Sequence, residues 1–136
     1  MKVFIDTSAF YAIADSGDRN HRSAVQKYTE LLDGRIRMVY NDHVLAECAT
    51  LIRRRLGYEA SLRFLNLVEK SEKIGTFQIV FSEPALLSSA KEIFFEMADP
   101  KLSLVDALSF ALMRKLSIHK FFAFDDHFRQ AGFDSV

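Results

Sequence analysis

The stretch Val3-Phe4-Ile5-Asp6-Thr7-Ser8 decides the predicted fold. Its first three residues are apolar and do not alternate with polar ones, which is typical of a strand buried on both faces in a parallel sheet. The three polar residues that follow at once are of the types that begin helices. A buried strand that passes directly into a helix predicts an α/β protein.

The same alternation continues along the chain. Short apolar runs predict three further strands, at residues 37–40, 77–81 and 121–124. Apolar residues at helical spacing predict helices around these strands, at about residues 18–32, 42–55, 59–72, 84–97 and 103–116. The predicted fold class is therefore α/β, a three-layer α/β/α sandwich with a central parallel sheet. No repeat or Pro/Gly/Ser-rich linker interrupts the pattern, so we expect one domain over residues 1–136.

Composition limits the classes of protein to which the chain can belong. Its 136 residues are 49% hydrophobic and include 13 Phe, which is enough apolar material for a core without disulfides or a structural metal. The 18 Lys and Arg balance the 18 Asp and Glu, which excludes a strongly basic nucleic-acid clamp. The single cysteine, Cys48, excludes an internal disulfide and a cysteine-rich zinc site. With no signal-peptide pattern and no apolar run of the roughly 18–20 residues that span a membrane, we expect a cytoplasmic protein.

Acidic residues follow two of the predicted strands. Asp6 follows the first strand and Asp125 follows the fourth. Because the carboxyl ends of parallel strands lie at one edge of the sheet, these two side chains can meet there, where α/β sheets bind ligands. Each residue taken alone is better explained as a helix N-cap, for which Asp is a favoured type.

Asp106 lies in a predicted helix that is apolar over most of its circumference. Leu102 and Phe110 flank it one turn to either side, so we expect the helix to be largely buried. An unpaired ionised carboxylate there would cost several kcal/mol and must meet a cation, a base or a solvent-filled cleft. An Arg or Lys partner explains Asp106 at least as well as a metal ion does. Ser103, one turn earlier, can orient the carboxylate or line the same cleft.

Glu47 belongs to the helix that follows the second predicted strand, beside the inward-facing Cys48. Taken alone it is an ordinary residue at the flank of an amphipathic helix. His43 shares its face at a spacing that could bind zinc, but no further Cys or His stands at metal-ligand spacing.

The case for a site rests on these acids together. Carboxylates that lie close together raise one another's pKa unless something neutralises them. A hard divalent cation with oxygen ligands does so, and Mg²⁺ or Mn²⁺ suits a site made only of carboxylates. We therefore expect one or two such ions among Asp6, Glu47, Asp106 and Asp125.

Four short segments, taken in order, resemble a known family, the PIN domain. Within that family the chain is most similar to the VapC-type toxins of prokaryotic toxin–antitoxin pairs, and the likeness extends from residue 1 to Gly132-Phe133. The segments that carry it are Val3-Phe4-Ile5-Asp6-Thr7-Ser8, the helix with Glu47, Ser103-Leu104-Val105-Asp106-Ala107, and Phe124-Asp125-Asp126-His127-Phe128.

The resemblance implies a Mg²⁺- or Mn²⁺-dependent endoribonuclease that cleaves single-stranded RNA or exposed RNA loops by attack of an activated water. It implies that Asp6 and Asp106 are the principal metal ligands. It further implies that Glu47 and Asp125 complete the acidic pocket, directly or through water. The orienting residues that it implies beside these acids are Thr7, Ser8, Ser103 and Asp126. A homodimer and a small cognate antitoxin that neutralises the nuclease are also implied.

An RNA-binding protein must neutralise phosphate charge, and this chain is neutral overall. Arg53-Arg54-Arg55 is a candidate RNA-binding patch, to which a second set of cations can add. That second set is Arg114, Lys115, Lys120 and Arg129. Each of these residues taken singly is better explained as a solvated cation at a helix C-terminus, where positive charge is stabilising.

Three other functions compete with the toxin nuclease. A catalytically silent PIN-like module would bind RNA or a protein, but it has no reason to keep a costly Asp106. A housekeeping RNA-processing nuclease would use the same site. A haloacid-dehalogenase-like hydrolase needs a second Asp two residues after its nucleophile, where this chain has Ser8. A P-loop or dinucleotide site is excluded because no glycine-rich loop follows the first strand.

Overall fold

The computed structural model describes residues 1–136, with five strands and seven helices. The strands are β1 (Lys2–Ile5), β2 (Arg37–Asn41), β3 (Phe77–Val80), β4 (Lys120–Phe122) and β5 (Asp134–Ser135). The helices are α1 (Thr7–Ala14), α2 (His21–Asp33), α3 (Asp42–Leu56), α4 (Tyr58–Lys73), α5 (Pro84–Glu96), α6 (Leu104–Lys115) and α7 (His127–Gln130). None of these helices combines the length and apolar character needed to cross a bilayer.

All strand pairs are parallel, and the strand order across the sheet is β3-β2-β1-β4-β5. The chain moves outward from β1 through β2 to β3, then returns through α5 and α6 to place β4 on the other side of β1. The strand order therefore reverses between β1 and β4, whose register pairs Phe4 with Phe121 and Ile5 with Phe122. Open α/β sheets bind ligands outside the carboxyl ends of the strands at such a reversal. The predicted fold class is confirmed.

One aromatic cluster fixes α1 to α4 and to the β2–β3 side of the sheet. The ring of Phe10 meets the rings of Tyr40, Phe64 and Phe77 edge to face, at centroid distances of 5.4, 5.6 and 5.4 Å. Edge-to-face pairs at these distances add to the free energy gained by burying the rings. Because α1 begins directly after Asp6, this cluster also fixes the position of Asp6 at the end of β1.

A second aromatic cluster fixes α6 and α7 to the β1–β4 side. The ring of Phe128 lies 6.0 Å from that of Phe4, 4.9 Å from that of Phe110 and 5.0 Å from that of Phe121. One side chain of α7 thus contacts β1, β4 and α6, and Phe128 is fully buried. The packing places the segment before α7 and the first turn of α6 beside the end of β1.

Two predictions about the C-terminal part of the sheet are wrong. The fourth strand ends at Phe122 rather than at Phe124, because the Phe124 N–H donates to the Ser8 hydroxyl instead of to a neighbouring strand. The fifth strand was not predicted at all. It has only two residues, Asp134 and Ser135, and both are exposed, so no apolar run announces it.

Candidate metal centre

Three carboxylates meet at the reversal point of the sheet. One ligand oxygen each from Asp6, Asp106 and Asp125 lies within 4.8 Å of the others. Asp6 follows β1 directly, Asp106 lies in the first turn of α6, and Asp125 lies three residues beyond β4. The structure thus brings together three of the four acids that the sequence pattern singles out.

Asp6 is the most enclosed of the three. It is 4% exposed, and it caps the N-terminus of α1 through a hydrogen bond of 3.5 Å from the Ser8 N–H. Burial, followed by the charges of Asp125 and Asp106, raises the pKa of Asp6 to about 8, against the opposing effect of the backbone N–H groups of Thr7 and Ser8. Without a cation, this carboxyl therefore holds a proton at neutral pH.

Asp106 has surroundings that differ from the expectation. Because α6 begins at Leu104, Asp106 lies in the first turn, before the fully buried residues 107–113. Its side chain is 14% exposed, and its carboxylate accepts a hydrogen bond of 3.3 Å from the Ser103 N–H. The helix N-terminus favours a negative charge at this position. The free-energy cost of burying an ionised carboxylate, which the sequence predicts for Asp106, is therefore larger for Asp6.

Asp125, and not the adjacent Asp126, enters the carboxylate group. Burial, followed by the charge of Asp106, raises the pKa of Asp125, while the His127 backbone N–H donates to it at 3.1 Å and opposes that shift. The Asp126 side chain is 84% exposed and lies 4.0 Å from Arg129. The orienting role expected of Asp126 has no support from this geometry.

The three expected orienting hydroxyls behave differently. Ser8 Oγ donates to the Asp6 carboxylate at 3.3 Å and accepts from the Phe124 N–H at 3.0 Å, so it ties the end of β1 to the chain leaving β4. Thr7 Oγ1 is buried and has no hydrogen-bond partner. Ser103 Oγ accepts from the Asp106 N–H at 3.0 Å, which fixes the backbone of α6 rather than the carboxylate itself.

Glu47 lies outside the group. It is exposed in the second turn of α3, where it lines a shallow surface pocket together with Arg54. Its negative charge nevertheless affects a buried neighbour, Cys48. The pKa of Cys48 is raised by burial first, then by Asp6 and then by Glu47. The role of Glu47 in the acidic pocket stays a prediction.

The structure places two further side chains at the site, His127 and Asp99, which the sequence analysis did not select. His127 Nε2 lies 3.1 Å from an Asp99 carboxylate oxygen, and Nδ1 lies 3.4 Å from Asp106 and 3.8 Å from Asp125. The ring is thus held by Asp99 on one side and faces the carboxylate group on the other. The Asp-Asp-His sequence after β4 was a signal for His127, whereas Asp99 beside Pro100 indicated only a break in the chain.

The residues present fit a hard divalent cation. All three donors are carboxylates, the type of ligand that Mg²⁺ and Mn²⁺ prefer. No lysine or arginine pairs with Asp6, Asp106 or Asp125. The one basic side chain within ion-pair distance of these acids is His127, which faces Asp106 and Asp125. The alternative in which an Arg or Lys pairs with Asp106 is therefore excluded. The pKa of Asp6 is raised in part by the charges of Asp125 and Asp106, and the buried Thr7 hydroxyl has no hydrogen-bond partner.

The predicted RNA-binding arginines lie exposed in the last turn of α3. The guanidinium of Arg53 lies 4.8 Å from the ring centre of Tyr58, and that of Arg55 lies 5.2 Å from the ring centre of Tyr11. Two of the three cations thus already have aromatic partners within the chain. Whether this patch binds RNA stays a prediction.

Comparison with known proteins shows the class to which this fold and site belong. The PIN domain family model matches residues 3–134, and the chain belongs to that family. Two curated relatives, both the 23S rRNA-specific endonuclease VapC20, come from Mycobacterium tuberculosis strains CDC 1551 / Oshkosh and ATCC 25618 / H37Rv. Each is 34% identical over 135 residues, which is 98% of this chain and 97% of the relative.

A solved structure agrees with these relatives. The crystal structure of M. tuberculosis VapC20, described as a sarcin-ricin loop cleaving toxin, superposes with a TM-score of 0.83 at 31% identity and covers 98% of each chain. The comparisons confirm the resemblance drawn from the sequence, and they confirm the predicted class of function, a VapC-type toxin endonuclease.

The raised pKa of Asp6 predicts that the metal-free protein loses stability as the pH rises. The folded protein holds the Asp6 proton up to a pKa of about 8, whereas the group's ordinary value is 3.8. Folding therefore takes up a proton between these values, and the stability from this group is lost as the pH rises from about 4 to about 8. The loss amounts to several kcal/mol, because each unit of pKa is worth about 1.4 kcal/mol.

Urea unfolding in the presence of EDTA, at pH 5 and pH 8, checks this prediction. Asp6→Asn should be more stable than the wild type at pH 8 and should show a flatter pH dependence. Asp33→Asn, at the exposed end of α2, should follow the wild type. A wild-type protein that is equally stable at both pH values would contradict the account of Asp6.

Proposed function

We propose that this chain is a toxin endoribonuclease that cleaves an exposed RNA loop with Mg²⁺ or Mn²⁺ held by Asp6, Asp106 and Asp125. The observation that carries the proposal is the approach of the three carboxylates to within 4.8 Å at the reversal point of the sheet. Their charges are tolerable together only when a cation lies among them or when at least one of them is protonated.

The protein residues have separate tasks in this proposal. A divalent cation held by these residues would make a water molecule more acidic and would offset negative charge on the phosphate oxygens. Asp6 would be a ligand in its deprotonated form, with its proton released to solvent, and Ser8 holds that carboxylate in place through its hydroxyl. His127, fixed by Asp99, keeps the carboxylates of Asp106 and Asp125 in position.

Glu47 takes an outer position in the proposed site. Its exposure on α3 allows it to act through a water molecule, and it stands beside Arg54, which is one of the proposed RNA-binding cations. An exposed carboxylate can accept a proton from water without the cost that burial imposes on Asp6. We therefore keep Glu47 as a proposed catalytic residue that does not itself join the three-carboxylate group.

The proposed substrate is a structured loop of ribosomal RNA. The relatives are named as nucleases specific for 23S rRNA, and the solved neighbour is described as cleaving the sarcin–ricin loop. The similarity between these proteins and this chain covers nearly the whole length of both, which supports a target of the same kind. Arg53, Arg54 and Arg55 remain proposed contacts to the RNA backbone, since phosphate binding requires cations.

We further propose that residues 1–136 act as one cytoplasmic domain that forms a homodimer and is neutralised by a cognate antitoxin. The buried apolar side chains form one cluster of 33 residues, which supports one domain. Exposed apolar side chains outside that cluster, such as Phe95 on α5 and Leu67 on α4, are available for contact with a second copy or with an antitoxin.

Replacing a principal ligand should abolish cleavage while leaving the fold intact. Asp6→Asn and Asp106→Asn each remove one of the three carboxylates proposed to bind the cation, so we expect Mn²⁺-dependent cleavage to fall by at least about 100-fold. The substrate is an RNA hairpin with the sarcin–ricin loop sequence, and product formation is measured on denaturing gels. Asp33→Asn is the matched control, because it removes one exposed carboxylate at the end of α2 that is not part of the three-carboxylate group.

Two results would contradict the proposal. One is full activity in Asp6→Asn or Asp106→Asn, and the other is wild-type cleavage that persists in excess EDTA. Circular dichroism of each variant shows whether lost activity reflects a lost fold.

Glu47→Gln tests the outer position. A residue that acts through water should lower kcat by about 10- to 100-fold while the affinity for Mn²⁺ changes little, because it does not bind the ion. Manganese affinity is measured by electron paramagnetic resonance, and kcat is measured on the same RNA hairpin. An unchanged kcat would remove Glu47 from the catalytic machinery, and a large loss of Mn²⁺ affinity would make it a direct ligand.

A further inference from the structure

We propose that a cleft beside the carboxylate group binds the nucleotide next to the cleaved bond of the RNA. This inference rests on the proposed ribonuclease function and adds a substrate subsite to it. The cleft, here called the β4–α2 cleft, has a volume of about 340 Å³ and is lined by residues that include Lys27, Phe124, Asp125 and Arg129. Its volume is within the range of roughly 300–1,000 Å³ found for ligand pockets.

The cleft and the carboxylate group share a wall. Asp125 lines the cleft and is also one of the three converging carboxylates. The neighbouring Phe124 is held in a fixed relation to the same group, because its N–H donates to Ser8 Oγ, which in turn donates to Asp6. A nucleotide in the cleft would therefore lie directly beside a phosphate bound at the carboxylates.

The cleft offers an aromatic ring for a base. Phe124 is half-buried, and its ring packs at 6.0 Å and 65° against Phe122, so the ring is supported from within the protein. Any of the four bases can stack on such a ring. Each stacked base contributes a substantial part of the affinity with which a protein binds single-stranded nucleic acid.

The cleft also offers cations for the backbone. Lys27 pairs with Glu30 on its own helix, and its side chain is about one third exposed, at 34%. Arg129 is 64% exposed, and its nearest acid, Asp126, lies 4.0 Å away. Surface ion pairs of this kind are weak, so a phosphate can take their place at little cost. The two cations can therefore meet a phosphate in the cleft, whose lining also includes the acids Asp125 and Asp126.

This combination of groups favours a nucleotide over an apolar segment of a protein. An apolar side chain in the cleft would take water from Asp125, Lys27 and Arg129 without replacing their hydrogen bonds. A nucleotide instead brings an aromatic base for Phe124 and a phosphate for the two cations. The arginines of α3 are placed differently, since Arg53 and Arg55 already lie over rings of the chain itself.

The test uses the full-length protein with Mn²⁺ and the sarcin–ricin-loop hairpin, either intact or with one abasic nucleotide placed in turn at each position near the cleaved bond. For the wild type we expect one flanking position at which loss of the base lowers kcat/KM by roughly 5- to 100-fold. In Phe124→Leu the intact hairpin should be cleaved more slowly, and the abasic substitution at that position should have little further effect. Phe124→Tyr keeps the ring and should restore the sensitivity to the missing base.

The cations are tested through salt. Lys27→Met and Arg129→Met should each make the slope of log kcat/KM against log salt concentration less steep by about one. Lys73→Met is the matched control, because Lys73 pairs with Glu69 on its own helix, as Lys27 does with Glu30, but lies where α4 leads into the amino end of β3. It should leave the slope unchanged. Thermal melting of each variant excludes a general loss of fold.

The outcomes separate the two proposals. Suppose that the wild type cleaves the hairpin, but that the fold-changes in kcat/KM caused by Phe124→Leu and by each abasic position multiply independently. The proposed subsite is then wrong, while the proposed ribonuclease function is still supported. Salt slopes of Lys27→Met and Arg129→Met that equal the slope of Lys73→Met would also overturn the subsite. If the wild type leaves the hairpin intact in Mn²⁺, the proposed function itself fails, and the subsite fails with it.

Discussion

Repulsion among three carboxylates, enclosed where the strand order of the sheet reverses, is the constraint on which this structure depends. Asp6, Asp106 and Asp125 approach within 4.8 Å, and the protein supplies no lysine or arginine to balance them. The strain is concentrated on Asp6, whose pKa rises to about 8 because it is buried and because the other two acids lie beside it. Either a proton on Asp6 or a doubly charged ion among the carboxylates reduces their mutual repulsion, so the arrangement favours binding of such an ion.

The fold holds the acids in this unfavourable arrangement through packing that lies elsewhere. The Phe10 cluster fixes α1 after Asp6, and Phe128 fixes α7 after Asp125 against β1, β4 and α6. Ser8 joins the chain at the end of β1 to the chain beyond β4. Because the stabilising contacts are separate from the acids, the acids can be placed for metal binding and need not contribute to stability.

The sequence was sufficient to predict the parallel α/β fold and the meeting of Asp6, Asp106 and Asp125. The meeting of Asp6 and Asp125 follows from one rule, since residues after parallel strands share an edge of the sheet. Asp106 lies in a helix that follows another helix, and it was included because its apolar surroundings required a partner for the carboxylate and because the family resemblance implied a ligand there. The rule does not give side-chain distances, so it could not separate Asp125 from Asp126 or exclude Glu47 from the group. Asp106 was expected in a buried helix because its neighbours are apolar, and that pattern did not show that a position in the first turn of α6 leaves its side chain partly exposed.

Other features depend on tertiary contacts that local pattern does not record. Asp99 and His127 are far apart in the chain and meet only because α6 and α7 pack together. The strand β5 has two exposed residues and forms only because β4 offers it an edge. The divalent cation was inferred from the carboxylates themselves. Only the family resemblance supplied the class of RNA target, which does not follow from residue spacing.

Calorimetric titration of the protein with Mn²⁺ at pH 7, repeated in buffers of different ionisation enthalpy, tests the central claim most directly. A carboxyl group with a pKa of about 8 must lose its proton to become a ligand, so the account predicts release of about one proton for each ion bound. Asp6→Asn should release fewer protons and bind the ion more weakly. Binding of Mn²⁺ by the wild type with no proton release, or equally tight binding by Asp6→Asn, would contradict it.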